Sequence, residues 1–444
     1  MEFDLVVVGA GSGGTEAAAL ARARGLKVAL VELSEESLGG VCLNRGCVPS
    51  KFTRERARLL RALRRERVLS CEPSVNAEKL YEERRKVVEE LKRALRRSLK
   101  GVELVFGRGV VKGPNEVFVE GAERVLRAKR LLVAVGSRPA VPFKPPEGLL
   151  DEESVWELKE VPSSVVVVGG GVAGTELAFA FRALGAEVTL VEKERKLLPG
   201  ALFPESGKAL LERALLNEGV KVIKGAGLKR VVKEGSLYRC ELEDGTAVRA
   251  ERVVLAVGRR PNADLAGLDE LGLTDERGFV KVDEYCETPL KGLYACGDVT
   301  SPLMLAHKAF YEARVALERA FGEGRLRRRE LSVPRAVYSA VELASVGLTP
   351  ELARKKGLTV KAGRASFRFN AKALIEGENE GFLELLLDRS GRLLGFSAVG
   401  PSAGELVHLA LPLLGREVKR LADEPFAHPS LSEAFTQAVR EALR

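Results

Sequence analysis

Two segments of the chain share a pattern that few folds accommodate. Phe3–Glu32 reads FDLVVVGAGSGGTEAAALARARGLKVALVE, and Ser164–Glu192 reads SVVVVGGGVAGTELAFAFRALGAEVTLVE. Each is an apolar, β-branched run, a glycine-rich turn, an amphipathic helical stretch and a second apolar run ending in Glu. That is the signature of a βαβ unit in a parallel sheet with helices on its faces. The turns carry Gly9, Gly11 and Gly14 in the first copy and Gly169, Gly171 and Gly174 in the second, both as GxGxxG. The first glycine permits the tight turn. The second lets a pyrophosphate approach backbone amides at the helix N-terminus, and the third allows the helix to pack close to the strand. Glu32 and Glu192 end the second strands, where a carboxylate can accept hydrogen bonds from a ribose. One such turn is weak support for a nucleotide site. Two complete copies predict two of them.

Glu192 further predicts NAD rather than NADP at the second site, because a carboxylate there repels a 2′-phosphate. Lys193 and Arg195 follow directly and keep NADP possible.

Other marks divide the chain. Ala140–Gly148, AVPFKPPEG, is a proline-rich crossover, and the short basic run Gly322–Glu330 reads as a linker. A helix is expected from Leu305 to Phe321. Beyond residue 331 the strand-like runs Phe382–Leu387 and Leu393–Val399 give way to helical patterns. Glu78–Leu99 reads as a charged helix with Val88, Leu91, Leu95 and Leu99 on one face and Glu82/Lys86 and Glu89/Arg93 paired at i,i+4.

Composition removes several classes. No stretch approaches the ~20 apolar residues of a membrane span. The start has no basic leader region, so a cytoplasmic protein is expected. Six cysteines in 444 residues do not make a secreted disulfide scaffold. The net charge of +9 is modest beside 71 basic and 62 acidic residues, and a nucleic-acid partner is not expected. Much of the excess sits in Arg54–Arg67, Arg84–Lys100 and Arg325–Arg329. These arginines are read chiefly as solvent-facing, with an acidic partner or an anionic disulfide as the alternatives.

The most specific feature is Gly39–Lys51, GGVCLNRGCVPSK. Cys42 and Cys47 are five apart, which in a regular helix means ~7.5 Å of rise. A disulfide usually wants Cα atoms within about 6.8 Å. A bridge here therefore requires a break in the helix, and Gly46 and Pro49 are residues that permit or mark one. Two structural thiols or half of a metal site are the alternatives, but the spacing is wrong for a CxxC zinc knuckle and no matching Cys/His pair follows. Cys71, Cys240, Cys286 and Cys296 are scattered and read as small core residues or inert surface thiols.

With a glycine-rich turn, CxxxxC followed by VPSK, and a second nucleotide turn, the whole chain resembles the pyridine nucleotide–disulfide oxidoreductases. LYACGDV at Leu293–Val299 looks like that family's second flavin motif, and AVGRRPN at Ala256–Asn262 like its loop between nucleotide and flavin units. CLNRGCVPSK, MLAHKA, LASVGLT and AHPSLSEA resemble the dihydrolipoamide dehydrogenase branch most. Val341 departs from that branch, where proline often precedes the Glu, as does Phe52–Arg54, where residues are usually small or aliphatic. No cysteine pair follows Cys296 as it usually does in mercuric reductases.

The resemblance implies an α/β fold with two Rossmann-like domains plus an α+β C-terminal dimerisation domain. FAD would be bound by residues 1–142 and 261–328, NAD by 143–260, and dimerisation would fall to 329–444. It implies an FAD-dependent homodimer with active sites shared between subunits. The substrate would be a small or protein-bound dithiol, possible within a 2-oxoacid dehydrogenase complex. Cys42 would meet the substrate and Cys47 the flavin. His428, oriented by Glu433, would be the base. Lys51 would lie by the flavin and pair with Glu176. Asp298 and Ala306 would join the FAD site, and Gly258 the NAD site. His307 and His408 are read as packing or structural.

Overall fold

The structure is a computed structural model that describes residues 2–66, 68 and 73–444. Arg67 of the basic stretch and Cys71 lie outside the described residues. The first βαβ unit forms as expected: strand Phe3–Val8, helix Ser12–Ala23, strand Val28–Glu32. Phe3–Val8 runs through the middle of a sheet, with Leu5 opposite Val28 on one side and Arg130 on the other. Glu103–Phe106, Val28–Glu32, Phe3–Val8 and Arg124–Val133 form its parallel part. Glu116–Glu120 and Arg108–Gly113 extend it antiparallel. Leu293–Ala295 then returns from far along the chain to pair in parallel with Arg124–Val133. Valines and leucines of Phe3–Val8, Val28–Glu32 and Leu293–Ala295 are almost wholly buried, as both faces being covered by helix or chain demands.

The second βαβ unit builds a separate parallel sheet in the order Lys221–Lys224, Glu187–Glu192, Ser164–Val168, Arg252–Leu255, Leu150–Asp151. An antiparallel three-stranded sheet over residues 228–250 packs on it through Tyr238 and Cys240. The C-terminal unit is a five-stranded antiparallel sheet in the order Arg335–Tyr338, Glu342–Gly347, Leu393–Val399, Phe382–Leu387, Lys361–Ser366. Helix Glu433–Leu443 lies against it, so close at Gly363 that a Cβ there would be 2.0 Å from the Ala438 carbonyl. One apolar core joins the second and third units, with Val337, Leu343, Phe382 and Val399 packed among Leu177, Phe203 and Leu211. No helix among the described residues is long and apolar enough to cross a membrane.

Several sequence expectations change in detail. The charged helix spans Ala77–Ser98, and its buried residue is Arg84, while Leu91 is 42% exposed. Of the expected apolar face, Leu99 is in the core and Leu95 packs against it, and the amphipathic Arg84 side chain is buried as well. It donates to Thr53 Oγ1 at 3.3 Å and to the Trp156 carbonyl, and faces the Tyr81 and Trp156 rings. The i,i+4 pairs on this helix give way to i,i+3 contacts, Lys86 with Glu83 at 2.6 Å and Lys92 with Glu89 at 3.8 Å. Either spacing brings side chains together on a helix surface. Among the Arg54–Arg65 arginines, Arg56, Arg64 and Arg65 are exposed, as expected, but several bond across units. Arg54 pairs with Glu342 at 2.7 Å, Arg61 with Glu218 at 2.7 Å, and Arg64 donates to the Ala183 carbonyl at 2.6 Å. They fasten their helix to the second and third units. Cys240, Cys286 and Cys296 are buried, which makes them core residues rather than surface thiols. His307 meets the Pro334 carbonyl at 2.7 Å, and His408, read as structural, is exposed.

Candidate active site

The redox segment is shaped by its glycines. Gly39 and Gly40 have φ of +90° and +63°, and Gly40 packs so tightly on the first nucleotide turn that its Cβ would lie 2.6 Å from Gly11 Cα. A short helix, Gly40–Asn44, carries Cys42. It breaks at Arg45 and Gly46, and a new helix, Cys47–Arg65, starts on Cys47 itself. The break that the spacing required is therefore present, and both cysteines are free thiols here. At the first position of a helix, a thiolate is favoured by the unpaired backbone N–H groups. A hydrogen bond from Cys42 is the largest influence on Cys47. With the Lys51 cation it outweighs burial and draws the Cys47 thiol down to about 7. Cys42 is pushed well up by that same hydrogen bond and by burial.

Lys51 lies one turn on from Cys47. Its Nζ donates to Glu176 Oε2 at 2.6 Å, and Glu176 Oε1 accepts the Tyr338 N–H at 2.8 Å. Burial works against the Lys51 ammonium, but the Glu176 carboxylate more than offsets it and the pKa is raised. The redox helix, the second nucleotide unit and the C-terminal sheet thus meet at one carboxylate. Tyr338, not singled out in the sequence, also places its ring 5.2 Å from Lys51 Nζ.

Both cysteines line a cavity of about 740 Å³ together with Gly9, Gly11, Glu32, Asp298 and Ala306. The first turn has the geometry that a diphosphate cradle needs. Gly9 has φ +98° and a Cβ position 2.5 Å from the Ala134 carbonyl, and a Cβ on Gly14 would fall 1.8 Å from the Gly9 carbonyl. Around Gly11 the nearest atom to such a Cβ is Gly40 Cα at 3.9 Å, which leaves its approach to the cavity free. Glu32 accepts the Ala10 and Leu33 N–H groups at 2.6 and 2.8 Å, and burial raises its pKa despite them. Asp298 Oδ2 accepts the Ser137 hydroxyl at 2.6 Å. Size, glycines and acceptors fit a dinucleotide with its reactive end toward the thiols.

His428 does not line this cavity. Its Nδ1 is 3.0 Å from Glu433 Oε1, its side chain is 70% exposed, and Glu433 Oε2 accepts the Ser430 N–H at 2.8 Å. That amide and the imidazole hold the Glu433 carboxyl below its usual range.

Residues 3–313 match the family described as pyridine nucleotide-disulphide oxidoreductase, and residues 333–439 match its dimerisation domain. The chain belongs to this family. The oxidoreductase is 38% identical to dihydrolipoyl dehydrogenase of Thermus scotoductus, over 99% of this chain and 97% of that one. It is 35% identical to dihydrolipoyl dehydrogenase of Bacillus subtilis, over 100% and 97%. The solved structure of LpdA from Mycobacterium tuberculosis superposes with a TM-score of 0.91 at 27% identity, covering 98% and 99% of the two chains. The Cu(II) complex of the HOCl-induced flavoprotein disulfide reductase RclA from Escherichia coli shares the fold, with a TM-score of 0.89 at 24% identity and 99% of each chain covered.

In this oxidoreductase the second nucleotide turn repeats the first. Gly169 has φ +107°, its Cβ position is 2.2 Å from the Ala256 carbonyl, and that of Gly174 is 1.7 Å from the Gly169 carbonyl. A Cβ added at Gly171 or at Gly258 would have nothing within 4 Å, so the turn faces open space. Glu192 is buried and accepts the Gly170 and Glu194 N–H groups at 2.6 and 2.8 Å. Sequence reasoning missed a hub between the two nucleotide units. Arg259 donates to Ser137 Oγ at 2.8 Å, to Glu152 at 3.1 Å and to Glu153 at 2.6 Å. Arg45, from between the two cysteines, lies 3.5 Å from Glu153. Both arginines stand inside motifs that the sequence displays, but nothing in their spacing says that they share a carboxylate.

Proposed function

We propose that the chain passes electrons between a dithiol and NAD through the Cys42–Cys47 pair, with FAD in the cavity. The dithiol we assign is dihydrolipoamide, free or carried on a protein, which leaves as lipoamide while NAD+ becomes NADH. The observation that carries the reading is the pair of thiols lining the same cavity as the first glycine turn and Asp298. Likeness to dihydrolipoyl dehydrogenases over nearly the whole chain supports the choice of dithiol.

When bound, FAD supplies the two-electron chemistry that links the thiols to nicotinamide. Gly9, Gly11, Gly14, Glu32, Asp298 and Ala306 would hold it. A substrate thiolate attacks Cys42 of the oxidised pair, forming a mixed disulfide and releasing Cys47 as thiolate. The second substrate thiol then displaces Cys42, so that the substrate is oxidised and the pair holds both electrons. The partner subunit's His428 takes the proton. Glu433 on Nδ1 fixes the tautomer and leaves Nε2 free to do so. The exposure of His428 away from its own chain's cavity suits a dimer in which each subunit completes the other's site. The Lys51 cation adds to the Cys42 hydrogen bond in favouring the Cys47 thiolate, while Glu176, bonded to Lys51, works against it. Gly169, Gly171, Gly174, Glu192 and Gly258 form the NAD site.

One panel of assays tests the reading. Dihydrolipoamide with NAD+ is run beside NADPH with glutathione disulfide, other small disulfides and mercuric ion. The highest kcat/KM is expected for dihydrolipoamide with NAD+. A higher value for NADPH with any of the other acceptors refutes the substrate.

A further inference from the structure

Beneath the turn that presents Asp298 lies a buried ionic cluster with no part in the thiol chemistry. Lys308 and Glu312 stand one turn apart on helix Ala306–Phe321 and are 1% and 2% exposed. Lys308 Nζ donates to the Gly297 carbonyl at 2.9 Å, to Thr300 Oγ1 at 3.1 Å and to Glu312 Oε2 at 3.1 Å. The same Glu312 oxygen accepts the Gly297 N–H at 2.8 Å and the Thr300 hydroxyl at 3.0 Å. Its other oxygen accepts from Arg328 Nε at 2.8 Å. Arg328 belongs to the basic run that reads as a linker in the sequence, yet its side chain is only 16% exposed.

Both the N–H and the C=O of Gly297 are therefore gripped by charged side chains. Gly297 sits at φ +83°, a conformation that glycine adopts freely and that needs holding in one state. The next residue is Asp298, which lines the cavity. A buried ion pair adds little net stability over an apolar pair of the same volume. Charge-assisted hydrogen bonds do fix geometry, and a binding constellation needs its supporting groups held. We propose that Lys308 and Glu312, locked by Arg328, are positioning residues that set the Gly297–Asp298 turn for cofactor binding. The inference rests on the reading of the cavity as an FAD site.

The test compares wild type, Glu312→Gln, and the double variant Lys308→Met with Glu312→Leu. The double variant exchanges the pair for apolar side chains of similar size but leaves Arg328 and the Gly297 backbone groups without these partners, so folding stability and affinity are measured separately. FAD is titrated into each apoprotein and followed by quenching of Trp156, the single tryptophan, which lines the cavity. Thermal melts are recorded with and without FAD. Both variants are expected to bind FAD about tenfold or more weakly than wild type, as loss of a charged hydrogen bond implies. The double variant's apoprotein should melt lower than wild type yet remain folded at the temperature of the titration. A merely structural role would lower the apoprotein melting temperature and leave affinity alone. Affinity within about twofold of wild type in the double variant, or in Glu312→Gln where it folds, overturns the inference alone. A wild type that takes up no FAD refutes the proposed cofactor, and the inference falls with it.

Discussion

Replacing Lys51 by Met isolates what one cation does for the redox pair. Cys47 is drawn from an ordinary 9.0 to about 7 by the hydrogen bond from Cys42 first and, against burial, by the charge of Lys51, while Glu176 pulls the other way. An opposite charge at close range shifts a pKa by on the order of one unit. Lys51→Met should therefore raise the Cys47 pKa by about one unit, which cuts the thiolate fraction at neutral pH by up to about tenfold. Glu176→Gln should move it the other way, because it removes the opposing carboxylate and leaves the ammonium. The Lys51→Met/Glu176→Gln double variant should fall between the two. The assay alkylates the reduced protein across a pH series and measures the modification of the Cys47 peptide by mass. The rate should rise with pH through the Cys47 pKa, since the thiolate is the form that reacts. If both single variants shift the midpoint in the same direction, the charges of Lys51 and Glu176 are not what tunes Cys47.

Other expectations follow from distances. Gly171→Ala adds a methyl group to open space, so the melting temperature and bound FAD should be unchanged while KM for NADH rises about tenfold or more. An unchanged KM would mean that no diphosphate approaches there. Inactive Cys47→Ser and His428→Ala dimers, unfolded and refolded together in equal amounts, should recover about a quarter of wild-type activity through mixed dimers with one intact site. No recovery would place the base in the same subunit as the thiols. Arg54→Ala breaks the 2.7 Å pair with Glu342 and should cost about 2 kcal/mol in denaturant melts. KM for an anionic disulfide should not change, and a large rise would show that Arg54 meets substrate after all.

What the sequence made legible was local. Each glycine turn is defined by residues within a few positions of one another, and the helix break at Gly46 follows from the two cysteines and that glycine. The fold class follows from the two βαβ units. What stayed hidden was carried by residues far apart in the chain. Lys51 meets Glu176 across 125 positions and Arg54 meets Glu342 across 288. Glu176 was named only through the family resemblance, and Tyr338 not at all. Lys308 and Glu312 did offer a signal, an i,i+4 pair on a helix. On sequence alone such a pair reads as a solvated surface contact, because burial of a charged pair depends on what covers it. Arg84 was lost for a related reason, since apolar periodicity counts an arginine as outward-facing although its stem can bury.

The two glycine turns share one backbone, yet their surroundings assign them different duties. A Cβ on Gly9 would fall 2.5 Å from the Ala134 carbonyl and one on Gly169 2.2 Å from the Ala256 carbonyl, so the cradles themselves do not distinguish a resident nucleotide from a passing one. The redox segment does. Both turns are crossed by a following segment, the Gly39 N–H donating to the Ala10 carbonyl and the Leu198 N–H to the Gly170 carbonyl, each at 2.9 Å, but Gly40 is seated on Gly11 while a Cβ on Gly171 would have no atom within 4 Å. Gly40 thus gives the first cradle a cover that the second lacks. FAD should therefore survive gel filtration in stoichiometric amount and NAD should not. Gly40→Ala tests the cover. Its Cβ would lie 2.6 Å from Gly11 Cα at a φ of +63°, so the segment must lift away. The variant should fold and rebind added FAD, but lose FAD on the column. If it keeps FAD as firmly as wild type, the redox segment does not retain the cofactor, and the difference between the two sites must lie in the contacts that each nucleotide makes with its own cradle.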